Sequence, residues 1–447
     1  MYKTLFQRIL YPTYETFLCR RKTLRYLADY QRNQWMTPDE IAAIQWAKLR
    51  ALLIYCYEHV PYYKAQWDRM GIHWQDIRNL DDYRRLPLLT KSEIRTHYDD
   101  LIAGPWRGKV LLKATGGSTG EPLRFAYTRE NYERRIAVMM RGYAWARADI
   151  GRRTLLLWGG DVGDVSRSKR FKDRLYNLAF HRKILNSFYL TRDSMPDYLS
   201  QINRYRPEVI VAFVAPLYEL ARFIKDKSLP RWSPETIVTG AELLHPYQRT
   251  LIEEVFCCPV HSTYGCREFM LIAAECSRRG GMHINTDHLV VEVLDDRGAP
   301  ALSGEVVITD LHNYAMPFIR YVNGDLATLS AEHCPCGRGF PLMQSVNGRK
   351  LDTIRTRAGH AVPGAFFPHM FKEVSAVARF QVVQNSLEDL DIIIVKHPEF
   401  NDADLTFIQR EVTKILGDGI HIKYRFVDDI PLTRSGKQRV TVSHSEA

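Results

Sequence analysis

The sequence predicts an α/β protein with a large N-terminal domain of doubly wound sheets plus a small β subdomain, followed by a small α+β C-terminal lid domain. Three observations predict it. Past Pro105, short apolar runs at residues 110–112, 154–158, 209–213 and 236–238 alternate with amphipathic helical stretches. Runs apolar on both faces mark strands buried in a mostly parallel sheet. From Leu289 to Asp310 the pattern turns to antiparallel alternation around the Asp295-Asp296-Arg297-Gly298 turn, which reads as the small β subdomain. Past Gly348 a further unit carries its own strands and helix, so the domains are expected at residues 1–347 and 348–447.

Each element has a local cause. Thr37 is a helix N-cap, with Pro38 at the first helical position and Glu40 three residues after the cap. Ile41, Ile44, Leu49, Leu52 and Leu53 recur at helical spacing until Pro61. In the C-terminal unit, strands are expected at residues 380–383 and 391–395. The helix after them starts near Asn401 or Asp402, buries Leu405, Ile408, Val412 and Ile415, and ends at Gly417. A last strand alternates Ile420, Ile422, Tyr424 and Phe426 before a basic tail.

With 447 residues, 45% hydrophobic and 25% charged, the composition is that of a globular chain. No run reaches the roughly 20 apolar residues of a membrane span. Lys3, Gln7 and Arg8 interrupt any leader-like start, and a cytoplasmic location is expected. A net charge of +11 suits the handling of polyanions, and ATP, coenzyme A, nucleic acid or an anionic membrane surface all fit it. Part of that excess lies in the first 35 residues, interleaved with Phe6, Tyr11, Tyr14, Phe17 and Tyr26. A basic helical arm packed on the body is the expectation there, and a membrane-surface helix the alternative. Eight cysteines, six of them between Cys257 and Cys336, do not make a disulfide framework. Cys257 and Cys258 read as core residues, and His261 as a packed strand histidine.

The segment Lys113-Ala-Thr-Gly-Gly-Ser-Thr-Gly-Glu-Pro122 follows an apolar run. Its glycines let backbone N–H groups turn inward on an anion, and Thr115, Ser118 and Thr119 add hydroxyl donors, which suits a triphosphate. A Walker loop would close on Gly-Lys-Ser/Thr, whereas Gly120 is followed by Glu121 and Pro122. The spelling Gly116-Gly-Ser118-Thr-Gly120 also matches a serine-hydrolase elbow, but that elbow opens a helix. Here Pro122 and the apolar Leu123 and Phe125 predict a strand. Standing alone, the segment also fits a flexible turn.

Downstream, in order, stand Thr239-Gly-Ala-Glu242, Tyr264-Gly-Cys-Arg-Glu268, Asn323-Gly-Asp325, Gly348-Arg349 and Pro431-Leu-Thr-Arg-Ser-Gly-Lys437. Together they resemble the acyl-adenylate-forming superfamily, and more closely its phenylacetate-coenzyme A ligase-like branch. The resemblance runs from Val60-Pro-Tyr-Tyr63 to the terminal lysine loop. It implies ATP-dependent activation of a carboxylic acid to an acyl-adenylate with release of pyrophosphate, then acyl transfer to coenzyme A. Its alternative is an amide or ester ligase acting on an amine, sugar or carrier-protein acceptor in polysaccharide or natural-product biosynthesis.

The same resemblance implies roles. Thr115, Gly117, Ser118, Thr119 and Gly120 hold the β and γ phosphates. Gly240, Ala241 and Glu242 border the adenine and the acyl pocket, and Tyr264, followed by Gly265, stacks on the base. Glu268 ligates Mg²⁺, Asp325 and Arg349 hold the ribose, and Lys437 contacts the substrate carboxylate and the α-phosphate. A carboxylate approaching a phosphate joins two anions, so positive charge and positioning must do most of the catalysis. Two positions depart from the family pattern. Arg267 stands where a Thr is usual, so a guanidinium is expected either to replace part of the Mg²⁺ charge or to restrict the acceptor. Leu351, with Asp352 next, stands where relatives have an acidic hinge residue. Residues near Trp158, 213–216 and 240–242 are expected to line a pocket for an aromatic or other apolar acid. No nucleic-acid partner is expected, peripheral membrane contact stays open, and a homodimer is the oligomer allowed for.

Cys276 and His283, followed by Cys334-Pro-Cys336, offer three thiolates and one imidazole, a set suited to a closed tetrahedral Zn²⁺ site of structural role. Ordinary buried cysteines are the other reading of composition alone. Similar Cys and His positions in the phenylacetate-ligase-like branch favour the metal.

Overall fold

The computed structural model describes residues 2–115, 123–159, 167–190, 193–349, 354–355, 361–362, 366–371, 373–374, 376–417, 419–431 and 439–444. The expected capping box forms: Thr37 Oγ1 accepts from the Glu40 N–H, and the Glu40 carboxylate accepts from the Thr37 N–H at 2.8 Å. Helix Pro38–His59 follows. Extended Val60 then lets Pro61 open the next helix, Pro61–Arg69, so this proline ends one pattern and starts another.

Five strands lie in parallel in the order Arg182–Asn186, Thr154–Trp158, Val209–Phe213, Thr236–Gly240 and Val260–Tyr264. Of the four runs read as apolar on both faces, 209–213 and 236–238 lie in strands buried at every residue, whereas Thr154–Trp158 alternates between buried and half-buried residues and so departs from that reading. Val260–Tyr264 is the joint of the molecule. Its far edge pairs antiparallel with Ala273–Glu275, and the sheet continues through Met282–Ile284, Leu342–Arg349, Tyr321–Leu329, Ser303–Asp310 and Leu289–Leu294. The anticipated β subdomain is therefore the antiparallel half of one eleven-stranded sheet.

The run at 110–112 departs from expectation. Strand Leu111–Ala114 pairs with Arg124–Tyr127 alone, outside the large sheet, and Leu111 and Leu112 are exposed. Apolar character shows that a segment can be covered, not that anything covers it.

Helix Arg129–Trp145 pins the antiparallel half in place. Its Arg135 bonds Asp310 at 2.8 Å and its Arg141 bonds Asp287 at 2.7 Å, all four side chains being almost wholly buried. Such pairs stay charged because each guanidinium meets a carboxylate; removing one partner typically costs about 3–5 kcal/mol. The N-terminal arm packs on this helix as expected. Phe6 and Tyr11 are buried around Phe180, and the Lys22 N–H donates to Glu133.

The C-terminal unit has a four-stranded sheet in the order His421–Phe426, Asp389–Lys396, Val377–Gln384 and Thr441–Ser443. Its helix, Asp402–Leu416, starts on the Asn401 side chain and ends at Gly417 with φ +90°. The buried stripe is Ile408, Val412 and Leu416, while Ile415 is 41% exposed and Leu405 half-buried. Strand Thr441–Ser443 lies in what the sequence reads as tail, because a three-residue strand has too little pattern to register. Phe426, expected in the alternation, is exposed beside Phe400. Arg222 of helix Val214–Asp226 ties this unit to the body, donating to the Ala378 carbonyl at 3.0 Å and meeting His397 Nε2 at 2.8 Å.

Candidate active site

Trp158, Phe213, Gly240 and Tyr264 end four parallel strands at the same rim of the sheet. In open α/β sheets the crevice beyond such carboxyl ends receives ligands. Phe213 lies opposite Gly240 in register, and the Trp158 and Phe213 ring centroids are 4.3 Å apart. A Cβ on Gly240 would meet Thr263 Oγ1 at 2.7 Å and Trp158 at 3.5 Å, so only hydrogen leaves this gap open. Ala241 takes the left-handed conformation, φ +66°, and turns the chain toward Glu242. Glu242 Oε2 accepts from the Ala215 N–H at 2.7 Å, in the first turn of helix Val214–Asp226, where a carboxylate complements the helix dipole.

The next segment folds back tightly. A Cβ on Gly265 would lie 1.8 Å from the Met270 carbonyl oxygen, so any side chain there is excluded. The Met270 N–H in turn donates to the Cys266 carbonyl at 2.7 Å. This loop presents the buried Glu268, which accepts from the Tyr321 hydroxyl at 3.0 Å. Tyr264 donates its hydroxyl to Asp325 at 2.8 Å, and Asn323 Nδ2 donates both to Tyr264 at 2.7 Å and to Asp325 at 3.0 Å. Burial, helped by the adjacent acids, pushes the Tyr264 and Tyr321 phenols well above their ordinary range. Both remain protonated donors in neutral solution. Asp325 and Arg349 are direct partners across strands Tyr321–Leu329 and Leu342–Arg349.

Arg267 reaches from the same loop to the hairpin, donating to the Ala114 carbonyl at 3.0 Å. Beside it Thr115 and Leu123 close a neck: the Thr115 N–H donates to the Leu123 carbonyl and the Leu123 N–H to Thr115 Oγ1, both at 2.9 Å. Strand Arg124–Tyr127 follows this neck, as read from the sequence, and a hydrolase elbow would require a helix. Gly117, Ser118, Thr119 and Gly120 lie outside the described residues, as do Lys437, Leu351, Asp352 and the Arg349 side chain. The flanks of the lysine segment are held by the C-terminal sheet: Arg379 donates to the Ile430 carbonyl at 2.9 Å and Gln381 to the Arg439 carbonyl at 2.8 Å.

Sequence reasoning assigned no role to Tyr321, Asn323 or Lys91. The first two had a signal, since Tyr321, Asn323 and Asp325 fall at every second residue of one strand. Lys91, whose Nζ donates to the Asn323 carbonyl at 3.3 Å, had none, because 232 residues separate the two.

The cysteine set converges as well. Cys276, His283, Cys334 and Cys336 place one ligand atom each within 4.8 Å of one another. The Cys276 and Cys334 sulfurs are 3.7 Å apart, and Cys336 Sγ is 3.3 Å from His283 Nε2. Zn–S bonds of about 2.3 Å in a tetrahedron imply a sulfur–sulfur edge of about 3.8 Å, so the spacing fits the ion. Burial pushes the Cys334 thiol up to about 12, a cost that a bound cation would reverse. His283 Nδ1 is buried and has no hydrogen-bond partner among the described residues. His261 is a buried strand residue, and of the adjacent pair Cys258 is core. Cys257, read as core, is instead exposed: it ends helix Pro246–Phe256 with φ +51°, and Arg231 donates to its sulfur at 2.9 Å.

Residues 354–444 match the family model of the CapK C-terminal domain. The chain is 28% identical over 393 residues to a phenylacetate-coenzyme A ligase of Thermus thermophilus, covering 84% of this chain and 86% of the relative. It is 26% identical over 367 residues to the protein CapK of Staphylococcus aureus, covering 80% of each. Its fold is that of 2-hydroxyisobutyryl-CoA ligase in the postadenylation state with R3-HIB-AMP, with a TM-score of 0.74, 18% identity, and 93% and 92% of the two chains covered.

Proposed function

We infer that this chain, a relative of the phenylacetate-coenzyme A ligases with the fold of the acyl-adenylate-forming enzymes, activates a carboxylic acid with ATP and passes the acyl group to coenzyme A. One observation carries the reading: Trp158, Phe213, Gly240, Tyr264, Glu268 and Asp325 meet at the carboxyl rim of the parallel strands, beside the neck of the Gly/Ser/Thr segment. In the first step a carboxylate oxygen bonds to the α-phosphorus, the bond to the bridging oxygen breaks, and pyrophosphate leaves. In the second, a thiol sulfur attacks the acyl carbon and AMP leaves.

The residues divide this work by chemistry. The apolar rings of Trp158 and Phe213 face the acid's hydrocarbon part. Asp325, with Arg349 opposite, orients the ribose, and segment 115–120 holds the phosphates. A buried carboxylate backed by a tyrosine hydroxyl is a hard oxygen ligand, so Glu268 is the residue that would hold Mg²⁺, whose charge would offset that of the phosphates. Arg267 adds a fixed positive charge, and Lys437 brings a mobile one on a lid of residues 348–447 that turns near Leu351 and Asp352. Cys276, His283, Cys334 and Cys336 would hold a structural Zn²⁺ that ties the sheet's antiparallel half together.

ATP–pyrophosphate exchange across a panel of carboxylic acids tests the first step. Exchange with an aromatic or apolar acid is expected, and exchange confined to polar amino acids would contradict the pocket. A second reading of the acceptor is an amine, sugar or carrier protein in place of coenzyme A. Offering coenzyme A and candidate amines to the preformed adenylate separates the two.

A further inference from the structure

Two short stretches hold nearly half of the large apolar side chains exposed among the described residues. Leu5, Ile9, Leu10, Phe17 and Leu18 come from the N-terminal arm, with Phe17 75% and Leu18 74% exposed. Leu175, Tyr176 and Leu178 come from helix Arg167–Ala179, with Leu178 70% exposed. The two stretches form one surface: the Tyr14 ring packs against Tyr176 and Phe180, and the Tyr2 hydroxyl donates to the Ala179 carbonyl. Phe6, Tyr11 and Tyr14 on the inner side of the arm hold it down, which leaves Leu5, Ile9, Leu10, Phe17 and Leu18 facing out.

The exposed charge around this surface is mostly positive. Arg8, Arg20, Lys22 and Arg25 are exposed on the arm, while of its two acids Glu15 is buried and bonded to Arg21 and Thr23, and Asp29 is paired with Arg32. On the helix, Arg174 is exposed beside Asp173. An apolar centre with a cationic border and almost no exposed acid is poorly matched to a second copy of itself, since a two-fold contact would bring the basic borders together. It is well matched to a bilayer surface, where aliphatic side chains enter the headgroup boundary and Lys and Arg meet anionic phosphates.

We propose that the N-terminal arm and the end of helix Arg167–Ala179 form a docking surface for an anionic phospholipid bilayer. The protein lies on the membrane by this face without crossing it; none of its described helices is long and apolar enough to span. Docking involves none of the residues placed at the nucleotide rim, so membrane binding and adenylation separate by mutation.

Co-sedimentation of the full chain with phosphatidylcholine vesicles, with and without phosphatidylglycerol, tests this. Binding to the anionic vesicles is expected, weakened by added salt. It should fall about tenfold or more in a Phe17→Asp, Leu18→Asp variant, because a charge at the boundary opposes insertion. That variant should keep its pyrophosphate-exchange rate and melting temperature; should it fail to fold, Leu178→Asp is the replacement. Reversing Arg20 and Lys22 to Glu should abolish the preference for anionic lipid. Absence of binding to phosphatidylglycerol vesicles at low salt would overturn the proposal, as would undiminished binding by the aspartate variant. A concentration-dependent dimer in analytical ultracentrifugation that Phe17→Asp, Leu18→Asp dissolves would reassign the face to self-association.

Discussion

Replacing Tyr264 by Phe removes one oxygen from the centre of the nucleotide rim and leaves the ring, and with it the packing against the sheet, in place. The lost hydroxyl donates to Asp325 at 2.8 Å and accepts from Asn323 at 2.7 Å. A hydrogen bond to a charged acceptor contributes about 1.5–3 kcal/mol. Asp325 keeps the Asn323 amide at 3.0 Å, which also gives that amide an acceptor, so the lower half of the range applies and about 2 kcal/mol of unfolding free energy should be lost. The carboxylate then loses one of the groups that aim it. If roughly 1.4 kcal/mol of that aim is expressed in ribose binding, the KM for ATP rises about tenfold. The chemistry at the α-phosphorus does not involve Asp325, so kcat should stay within about threefold. Urea unfolding and pyrophosphate exchange at varied ATP measure both quantities. An unchanged KM together with unchanged stability would refute the claim that Tyr264 positions Asp325 for the nucleotide.

Other perturbations follow from the same geometry. Gly265→Ala should cost about 3 kcal/mol or more and deplete soluble protein, since the new methyl meets a backbone carbonyl that cannot yield; normal yield and melting temperature would contradict it. Glu268→Gln keeps an acceptor for Tyr321 and so should fold normally by circular dichroism, yet lose exchange activity by about a hundredfold or more, as expected for a metal-bearing carboxylate. Elemental analysis should find one zinc per chain, lost in Cys334→Ser, and chelation should lower the melting temperature; zinc content unaffected by Cys334→Ser would reject the set. Burial, reinforced by Arg279 and Arg249 at His261, holds His261 and His288 down at about 4. Depressed histidines leave stability untouched above the unfolded-state value near 6.5 and erode it below, because the unfolded chain then binds the extra protons. Urea unfolding should therefore show a loss of about 3 kcal/mol between pH 7.5 and 5.5, whereas a plateau down to pH 4.5 would disagree.

Local signals were legible where one short stretch decides the structure. Thr37 and Glu40 announce a capping box, Asn401 and Gly417 bracket a helix, and the Asp295–Gly298 turn announces a hairpin. Frame errors arose where neighbours compete for a face: Ile415 and Leu416 are equally apolar, and only packing against the C-terminal sheet selects Leu416. Pairing between distant strands was not legible. Nothing local tells Val260–Tyr264 to take a parallel neighbour on one edge and an antiparallel one on the other, so one continuous sheet read as two. The site followed the same division. Tyr264, Glu268 and Asp325 stand in short motifs, whereas Lys91 and the Arg267–Ala114 contact are products of tertiary folding. The buried Arg135 and Arg141 were missed for a related reason, since a charged residue on a helix reads as surface until its partner is seen.

The central claim is that this fold joins ATP to a carboxylic acid with Lys437 supplying the charge that brings the two anions together. The direct measurement is acid-dependent ATP–pyrophosphate exchange by the wild-type chain and by Lys437→Ala across the same acid panel. The account predicts exchange with an aromatic or apolar acid and a loss of about a hundredfold or more in the variant. Exchange that needs no acid, or that proceeds equally well without Lys437, would contradict it.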